Sequence, residues 1–321
     1  MVKIRYTGNA PEKEITQVYN ETMSEMFEED SNVVYLDADL MGSLKTKELW
    51  KKYPHNVFNT GIQEANMIGV ACGMYLAGYK PYVHSFSPFA SRRVFDQVFI
   101  SGAYAKKRIK IIGSDAGIAA TYNGGTHMCF EDIAMFRAVP NACIVDVSDG
   151  VMFSKLLRLV KDYPGIVYLR TARRGVPDIY NLNEEFEIGK GKILHEGTDA
   201  TVVASGLQVQ MALKAALELE KENISVRVID PITVKPLDKD LIIESAKKTG
   251  LIITSENGNI NGGLGDAVAS VVAENCPIYV LKNGVQDQFG QVGNEQYLRE
   301  QYHLRSEDII ALVKEGLAKK K

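Results

Sequence analysis

Along the first half of the chain, short apolar runs alternate with longer stretches in which apolar residues recur at helical spacing. The runs Asn32–Leu36, Lys80–His84, Ile109–Gly113, Ala142–Val147 and Gly165–Leu169 read as strands. Helices are predicted over Glu12–Glu28, Arg92–Tyr104, Phe130–Arg137 and Gly150–Lys161, and another begins at Glu64. In that last helix Met67, Ile68, Val70, Ala71, Met74 and Leu76 wrap nearly the whole circumference, which predicts a buried helix. Strands recurring between helices at this spacing imply a parallel sheet covered on both faces.

The segment Val176–Lys190 has no clear periodicity and carries a proline, several Asn and a cluster of Glu, so it reads as a linker. A second α/β pattern follows. It opens with a turn-rich strand pair near Gly189–Glu196 and continues with strands at Ala200–Ala204, Ser225–Asp230, Gly250–Ser255 and Ile278–Leu281. Helices at Val209–Lys221, Lys239–Thr249 and Leu264–Glu274 lie between them. The expected architecture is α/β with two domains, residues 1–175 and 191–321, joined by the linker 176–190, each a mostly parallel sheet flanked by helices. Beyond the exposed Lys319-Lys320-Lys321 tail there is no low-complexity segment and no internal repeat.

With 321 residues, 45% of them hydrophobic, the chain can bury a sizeable core. Its 37 basic and 40 acidic side chains are well mixed and the net charge is −3, so no basic stripe points to nucleic acid and no polybasic or lipidation signal points to a membrane. The N-terminus lacks the apolar core of a signal peptide, and no apolar run approaches the ~18 residues of a membrane span. A cytoplasmic location is expected. Cys72, Cys129, Cys143 and Cys276 fall singly in apolar stretches, as reduced core residues do, without the close pairs of a zinc site.

Ligands in parallel α/β sheets sit outside the carboxyl ends of the strands. The loops Asp37–Ser43, Ser85–Ser91 and Ser114–His127 are therefore the places to search. Glu64, flanked by Asn59, Thr60 and Gln63, is one carboxylate at the start of an apolar helix; either it caps that helix or it has chemistry to do. Phe86 and Phe89, with Pro88 between them, are local core or a stacking platform for a flat ligand. The long, small-residue connection Ser114–His127 presents a histidine after Gly124-Gly125-Thr126, and loops of this kind are usually functional. Gly258–Gly265 resembles a phosphate cradle but matches neither a dinucleotide nor a P-loop fingerprint, and it reads first as a tight turn feeding a helix. Arg173-Arg174 either captures an anion or is solvated.

Taken in order, Asp37-Ala-Asp-Leu40, Gly61-Ile-Gln-Glu-Ala-Asn-Met67, Ser85-Phe-Ser-Pro-Phe89, Asn123-Gly-Gly-Thr-His127, Phe136-Arg-Ala-Val-Pro-Asn141 and Ser255-Glu-Asn with Gly262-Gly-Leu-Gly265 resemble the second half of the transketolase family of thiamine diphosphate enzymes. The resemblance spans about residues 10 to 310. It implies a thiamine diphosphate-binding pyrimidine domain followed by a transketolase C-terminal domain. Glu64 matches the glutamate that hydrogen-bonds the aminopyrimidine ring nitrogen and favours the tautomer that removes the thiazolium proton. Such a carboxyl is expected to be isolated among apolar side chains. Phe86 and Phe89 match residues that flank the pyrimidine, and Asp39 one that lies near the cofactor. His127 matches the residue that reaches the reacting carbons of the sugar, while Ser43 and Arg173 match positions that hold its acidic tail.

Departures from the family pattern bear on substrate. Asn123 stands where most transketolases have Asp, at a position that reads the donor's hydroxyl configuration. Asp115 stands where they have a phosphate-binding His and would repel an anion at close range. The resemblance therefore implies two-carbon ketol transfer from a ketose to an aldose, with a donor or acceptor carrying phosphate, another acid group such as a sulfonate, or a neutral end. The Gly-Asp-Gly segment that holds Mg²⁺ and the diphosphate in this family is absent. The metal ligands are expected on a partner subunit carrying the N-terminal half, assembled with this chain as an α2β2 heterotetramer. A competing reading is the β subunit of a 2-oxo acid dehydrogenase; another is a structural or regulatory partner without catalysis.

Overall fold

The computed structural model describes residues 2–320. In chain order the strands are β1 (Val33–Asp37), β2 (Val57–Asn59), β3 (Lys80–Phe86), β4 (Lys110–Ser114), β5 (Cys143–Asp146), β6 (Val167–Arg170), β7 (Lys192–His195), β8 (Ala200–Ala204), β9 (Val226–Asp230), β10 (Thr233–Lys235), β11 (Leu251–Asn259) and β12 (Tyr279–Val285). They form a seven-stranded sheet, order β10-β5-β6-β4-β3-β1-β2, and a five-stranded sheet, order β12-β11-β8-β9-β7. Every residue of β1, β4, β5, β6, β8 and β9 is buried, as expected of strands covered on both faces. All pairings are parallel except those made by β7 and β10.

The helices are α1 (Ile15–Glu29), α2 (Lys47–Lys52), α3 (Glu64–Leu76), α4 (Ser87–Ser91), α5 (Asp132–Arg137), α6 (Gly150–Leu159), α7 (Gln208–Glu220), α8 (Lys239–Thr249), α9 (Leu264–Asn275), α10 (Glu295–Gln301) and α11 (Ser306–Lys320). Asp149 caps α6 by accepting from the Met152 N–H at 2.8 Å, and a second oxygen of the same carboxylate takes the N–H groups of Ile179 and Tyr180. Segment 176–190 is thus tied down rather than loose: Ile179 and Tyr180 are buried, and the Tyr180 hydroxyl donates to Asp230 at 2.8 Å.

Several expectations are corrected. The helix expected over Arg92–Tyr104 is broken into a 3₁₀ turn Arg92–Val94 and a π-helical stretch Gln97–Tyr104, and it is preceded by the short α4. Pro88 near the N-terminus of α4 starts the helix early, and the Ser91 hydroxyl bonds back to the Ser87 carbonyl at 2.6 Å, a contact that bends helices. The strand pair near Gly189–Glu196 is the single strand β7, whose partner β9 comes from beyond α7. Strand β10 follows the second sheet's β9 yet joins the first sheet antiparallel to β5, so the sheets do not divide the chain cleanly. The Lys235 ammonium secures this crossover on the carbonyls of Arg137 and Val139. Of the C-terminal lysines, Lys319 and Lys320 are exposed, as expected, yet belong to α11, and the Lys320 ammonium reaches the Thr249 carbonyl, while Lys321 lies outside the described residues. Helix α3 is buried only on the side of Glu64, Met67, Ile68, Ala71 and Cys72. Its other side, with Gly69, Val70, Gly73 and Leu76, is exposed.

One buried cation joins the two sheets. Arg170, at the end of β6, donates to Asp132 at 2.8 Å and Asp146 at 3.3 Å, and also to the carbonyls of Cys129 and Asn257. Asp146 in turn accepts from Ser205 of the second sheet's β8–α7 turn at 2.8 Å. The glycine-rich stretch after β11 is closed by the chain itself. The Glu256 carboxylate accepts the Leu264 and Gly265 N–H groups, 2.8 Å each, at the start of α9. A Cβ on Gly263 would stand 1.9 Å from that carboxylate, so the segment is a cradle already filled by its own anion.

These groups carry two stability predictions. Arg170→Met leaves two buried aspartates without their cation and is expected to cost about 3–5 kcal/mol in a denaturant titration. Burial pushes the Glu256 carboxyl up to about 7 and that of Asp230 up to about 6. Both are raised in the folded state, so their contribution is fully present below pH ~4 and is lost as pH rises towards 7. The Glu256→Gln variant is therefore expected to lose part of the pH dependence of unfolding free energy between pH ~5 and ~8, whatever its absolute stability.

Candidate functional site

Sheet register brings the three loops together. Asp37, the last residue of β1, pairs with His84 of β3, and the last residues of β3 and β4, Phe86 and Ser114, pair with each other, so the three adjacent strands end within two residues of one another. Their loops leave side by side at the carboxyl edge. Below them runs a buried polar chain: Tyr35 bonds Asp37, Asp37 meets His84 Nδ1 at 2.8 Å, and His84 Nε2 meets Ser114 Oγ at 2.9 Å. Ser114 donates to Asp115 at 3.3 Å. The sequence marked Asp37 and His84 only as motif ends; their partnership exists solely because β1 and β3 are neighbours.

Glu64 opens α3 with its side chain 2% exposed. Rather than standing alone among apolar groups, its carboxylate accepts from Ser85 Oγ at 3.0 Å and from Arg93 Nη1 at 2.8 Å. This corrects the expectation of an isolated acid: β3 ends beside the first turn of α3, and the 3₁₀ turn after α4 carries Arg93 back over it. Neither Ser85 nor Arg93 was identified as a site residue from sequence. The Arg93 guanidinium lies 4.1 Å from the centre of the Phe89 ring.

Phe86 and Phe89 are 6.4 Å apart, and the His127 ring meets both edge-on, at 5.8 Å and 5.3 Å. His127 Nδ1 is hydrogen-bonded to Thr126 Oγ1 at 2.9 Å. The loop carrying His127 is seated by the other half of the molecule: a Cβ on Gly125 would lie 2.3 Å from the Gly290 carbonyl oxygen, so the two backbones touch directly. The Asn257 amide adds a second brace, donating to the Ala116 carbonyl and accepting from the Ile118 N–H, both at 3.0 Å. Asn123 sits exposed at the end of the 3₁₀ stretch Gly117–Asn123.

Asp115 is buried in a left-handed backbone conformation and pairs with Arg173 Nε at 3.2 Å. Burial pushes its carboxyl up, with Arg173 opposing. Asp115 thus holds an arginine, where the sequence suggested bare repulsion of an anion. Ser43, Arg173, Arg174 and Lys45 line an open cavity of about 510 Å³ together with Glu14 and Thr16. Asp39, exposed and also left-handed, exchanges hydrogen bonds with Asn59: its N–H donates to Asn59 Oδ1 at 3.1 Å, and Asn59 Nδ2 returns one at 2.9 Å. Among the described residues no group of three or more His, Cys, Asp or Glu side chains is placed to hold a metal ion.

Known proteins share this chain's fold and much of its sequence. The transketolase pyrimidine binding domain matches residues 12–178 and the transketolase C-terminal domain residues 189–309. The chain is 40% identical to the 6-deoxy-6-sulfo-D-fructose transketolase subunit SqwH of Clostridium sp. (strain MSTE9), covering 95% of both chains. It is 34% identical to an apulose-4-phosphate transketolase subunit of Phocaeicola vulgatus, over 94% of this chain and 96% of the relative. A solved split-gene transketolase in an inactive β4 tetramer superposes with a TM-score of 0.89 at 38% identity, covering 96% of this chain and 99% of that one. With both family domains in order and relatives matched nearly end to end, this chain belongs to the transketolase family.

Proposed function

We propose that the chain is the small subunit of a split transketolase, transferring a two-carbon ketol unit from an acidic ketose to an aldose with thiamine diphosphate shared with a partner subunit. The observation that carries this reading is the convergence of the Glu64 carboxylate, the Phe86–Phe89 pair and His127 at one sheet edge, in a chain whose end-to-end relatives are transketolase subunits. Those relatives favour transketolase over the β subunit of a 2-oxo acid dehydrogenase.

The residues fit the aminopyrimidine half of the cofactor: a carboxylate almost sealed from water lies beside an aromatic face that receives a flat cation. Thiamine diphosphate supplies, when bound, the nucleophilic carbon for cleaving and rejoining the sugar chain. Glu64 holds a proton at the pyrimidine ring nitrogen, Phe86 and Phe89 fix the ring plane, and Asp39 borders the cofactor. His127, steered by Thr126, hydrogen-bonds the sugar oxygen and moves its proton, while Asn123 reads the neighbouring hydroxyl. Ser43 and Arg173 hold the acidic tail, and Asp115 orients Arg173 for that task. Phosphate and sulfonate tails both suit this cavity; the sulfofructose and apulose phosphate relatives support an acidic substrate.

Mg²⁺ and its diphosphate are assigned to the partner, the N-terminal-half subunit, in an α2β2 heterotetramer. Support for a partner comes from exposed apolar side chains: Ile62, at 74%, lies two residues before Glu64, while Leu76, at 69%, ends α3, and Ile100, at 50%, and Tyr104, at 81%, lie on the π-helical stretch. No described helix is long and apolar enough to cross a membrane, and the unpaired cysteines support placement in the cytoplasm.

Two outcomes test the assignment. In the complex reconstituted with a subunit carrying the diphosphate-binding domain, Glu64→Gln is expected to cut two-carbon transfer about 10²–10⁴-fold without disturbing assembly. Wild-type turnover in that variant, or turnover on 2-oxo acids alone, removes the reading; cofactor binding with no turnover on any sugar leaves the structural partner in its place. His127→Ala is expected to lower kcat about 10²-fold or more while cofactor affinity, measured by calorimetry, stays the same. Equal loss of both would take His127 out of the sugar site.

A further inference from the structure

Resting on the assignment of Glu64 and Phe89 to the aminopyrimidine seat, we propose that Arg93 is a displaceable stand-in for that ring, occupying the seat until the cofactor takes it. The guanidinium makes both contacts that define the seat. Its Nη1 donates to Glu64 Oε2 at 2.8 Å, and the group lies 4.1 Å from the Phe89 ring centre. A guanidinium is flat, delocalised and edged with N–H donors, so it stacks and hydrogen-bonds a carboxylate as an aminopyrimidine does. A lysine ammonium in the same place has no flat face to offer Phe89.

Without the cofactor, Glu64 is a carboxylate almost wholly out of water, and one hydroxyl donor, Ser85, is slender compensation for it. Arg93 supplies the missing cation. It also covers an aromatic face that would otherwise stand open. The arginine is free to leave: its side chain is 44% exposed, so rotation about its own bonds carries the head into water. Its neighbour Arg92 is held elsewhere, paired with Glu131 at 3.0 Å, and Val94 anchors the 3₁₀ turn in the core. The backbone therefore has no need to move during the exchange.

The ring and the guanidinium compete for one carboxylate oxygen and one ring face. Only molecules with Arg93 swung out accept the cofactor, and the apparent dissociation constant is raised by the reciprocal of their fraction. If about one molecule in ten is open, removing the arginine tightens binding about tenfold.

The test is calorimetric titration of thiamine diphosphate, with Mg²⁺, into the reconstituted complex carrying wild-type chain, Arg93→Met or Arg93→Gln, the Gln variant keeping a donor for Glu64 should Met fold poorly. The expected result is a roughly tenfold lower Kd in the variant, together with a lower melting temperature of the cofactor-free complex and a larger rise on cofactor addition. An unchanged or higher Kd in a folded variant overturns the proposal, because Arg93 would then be indifferent to the cofactor or a contact for it. A parallel Glu64→Ala titration separates the two readings: wild-type affinity there removes Glu64 from the seat, and the stand-in falls with it.

Discussion

The whole arrangement hangs on one buried cation. Arg170 lies at the carboxyl edge of the first sheet, almost wholly out of water. A guanidinium there is tolerable only with its charge matched and its donors used. Asp132 and Asp146 match the charge, and the carbonyls of Cys129 and Asn257 use further donors. These partners come from separate segments: Asp132 starts α5, Asp146 ends β5, and Asn257 lies on the second sheet's β11. One side chain thereby ties segments of both sheets together.

The shape of the site depends on that tie. Asn257, held by Arg170 through its carbonyl, uses its own side chain to brace Ala116 and Ile118. The backbone contact between Gly125 and Gly290 seats the turn before His127. The second half of the chain contributes no side chain to the group of Glu64, Phe86, Phe89 and His127, yet it fixes the loop on which His127 rides. Loops that carry chemistry need such a rigid backing.

Near the site, buried carboxylates are matched by the chain's own donors. Glu64 faces Arg93, Asp115 faces Arg173, and Glu256 fills the start of α9. The glycine-rich stretch after β11 looked, as sequence, like a place for phosphate. Its N–H groups are spent on a carboxylate eight residues upstream of the helix start. A loop's composition announces that an anion fits, but whether that anion is a ligand or the chain's own side chain depends on what the preceding strand places beside it.

By itself the sequence determined the local and the ordered: the apolar runs that became parallel strands, the loops that would leave their carboxyl ends, and the motif order that marks the family. These depend on residues close together in the chain, where periodicity and turn chemistry act directly. Pairings between distant segments were decided only in three dimensions. Arg93 on Glu64, Arg173 on Asp115, His84 between Asp37 and Ser114, and the crossing of β10 into the first sheet all join residues tens of positions apart. Helix α3 shows the boundary well. Its apolar circumference predicted burial, and the fold buries one side while leaving the other open, because hydrophobicity records that a face is to be covered but not by which surface.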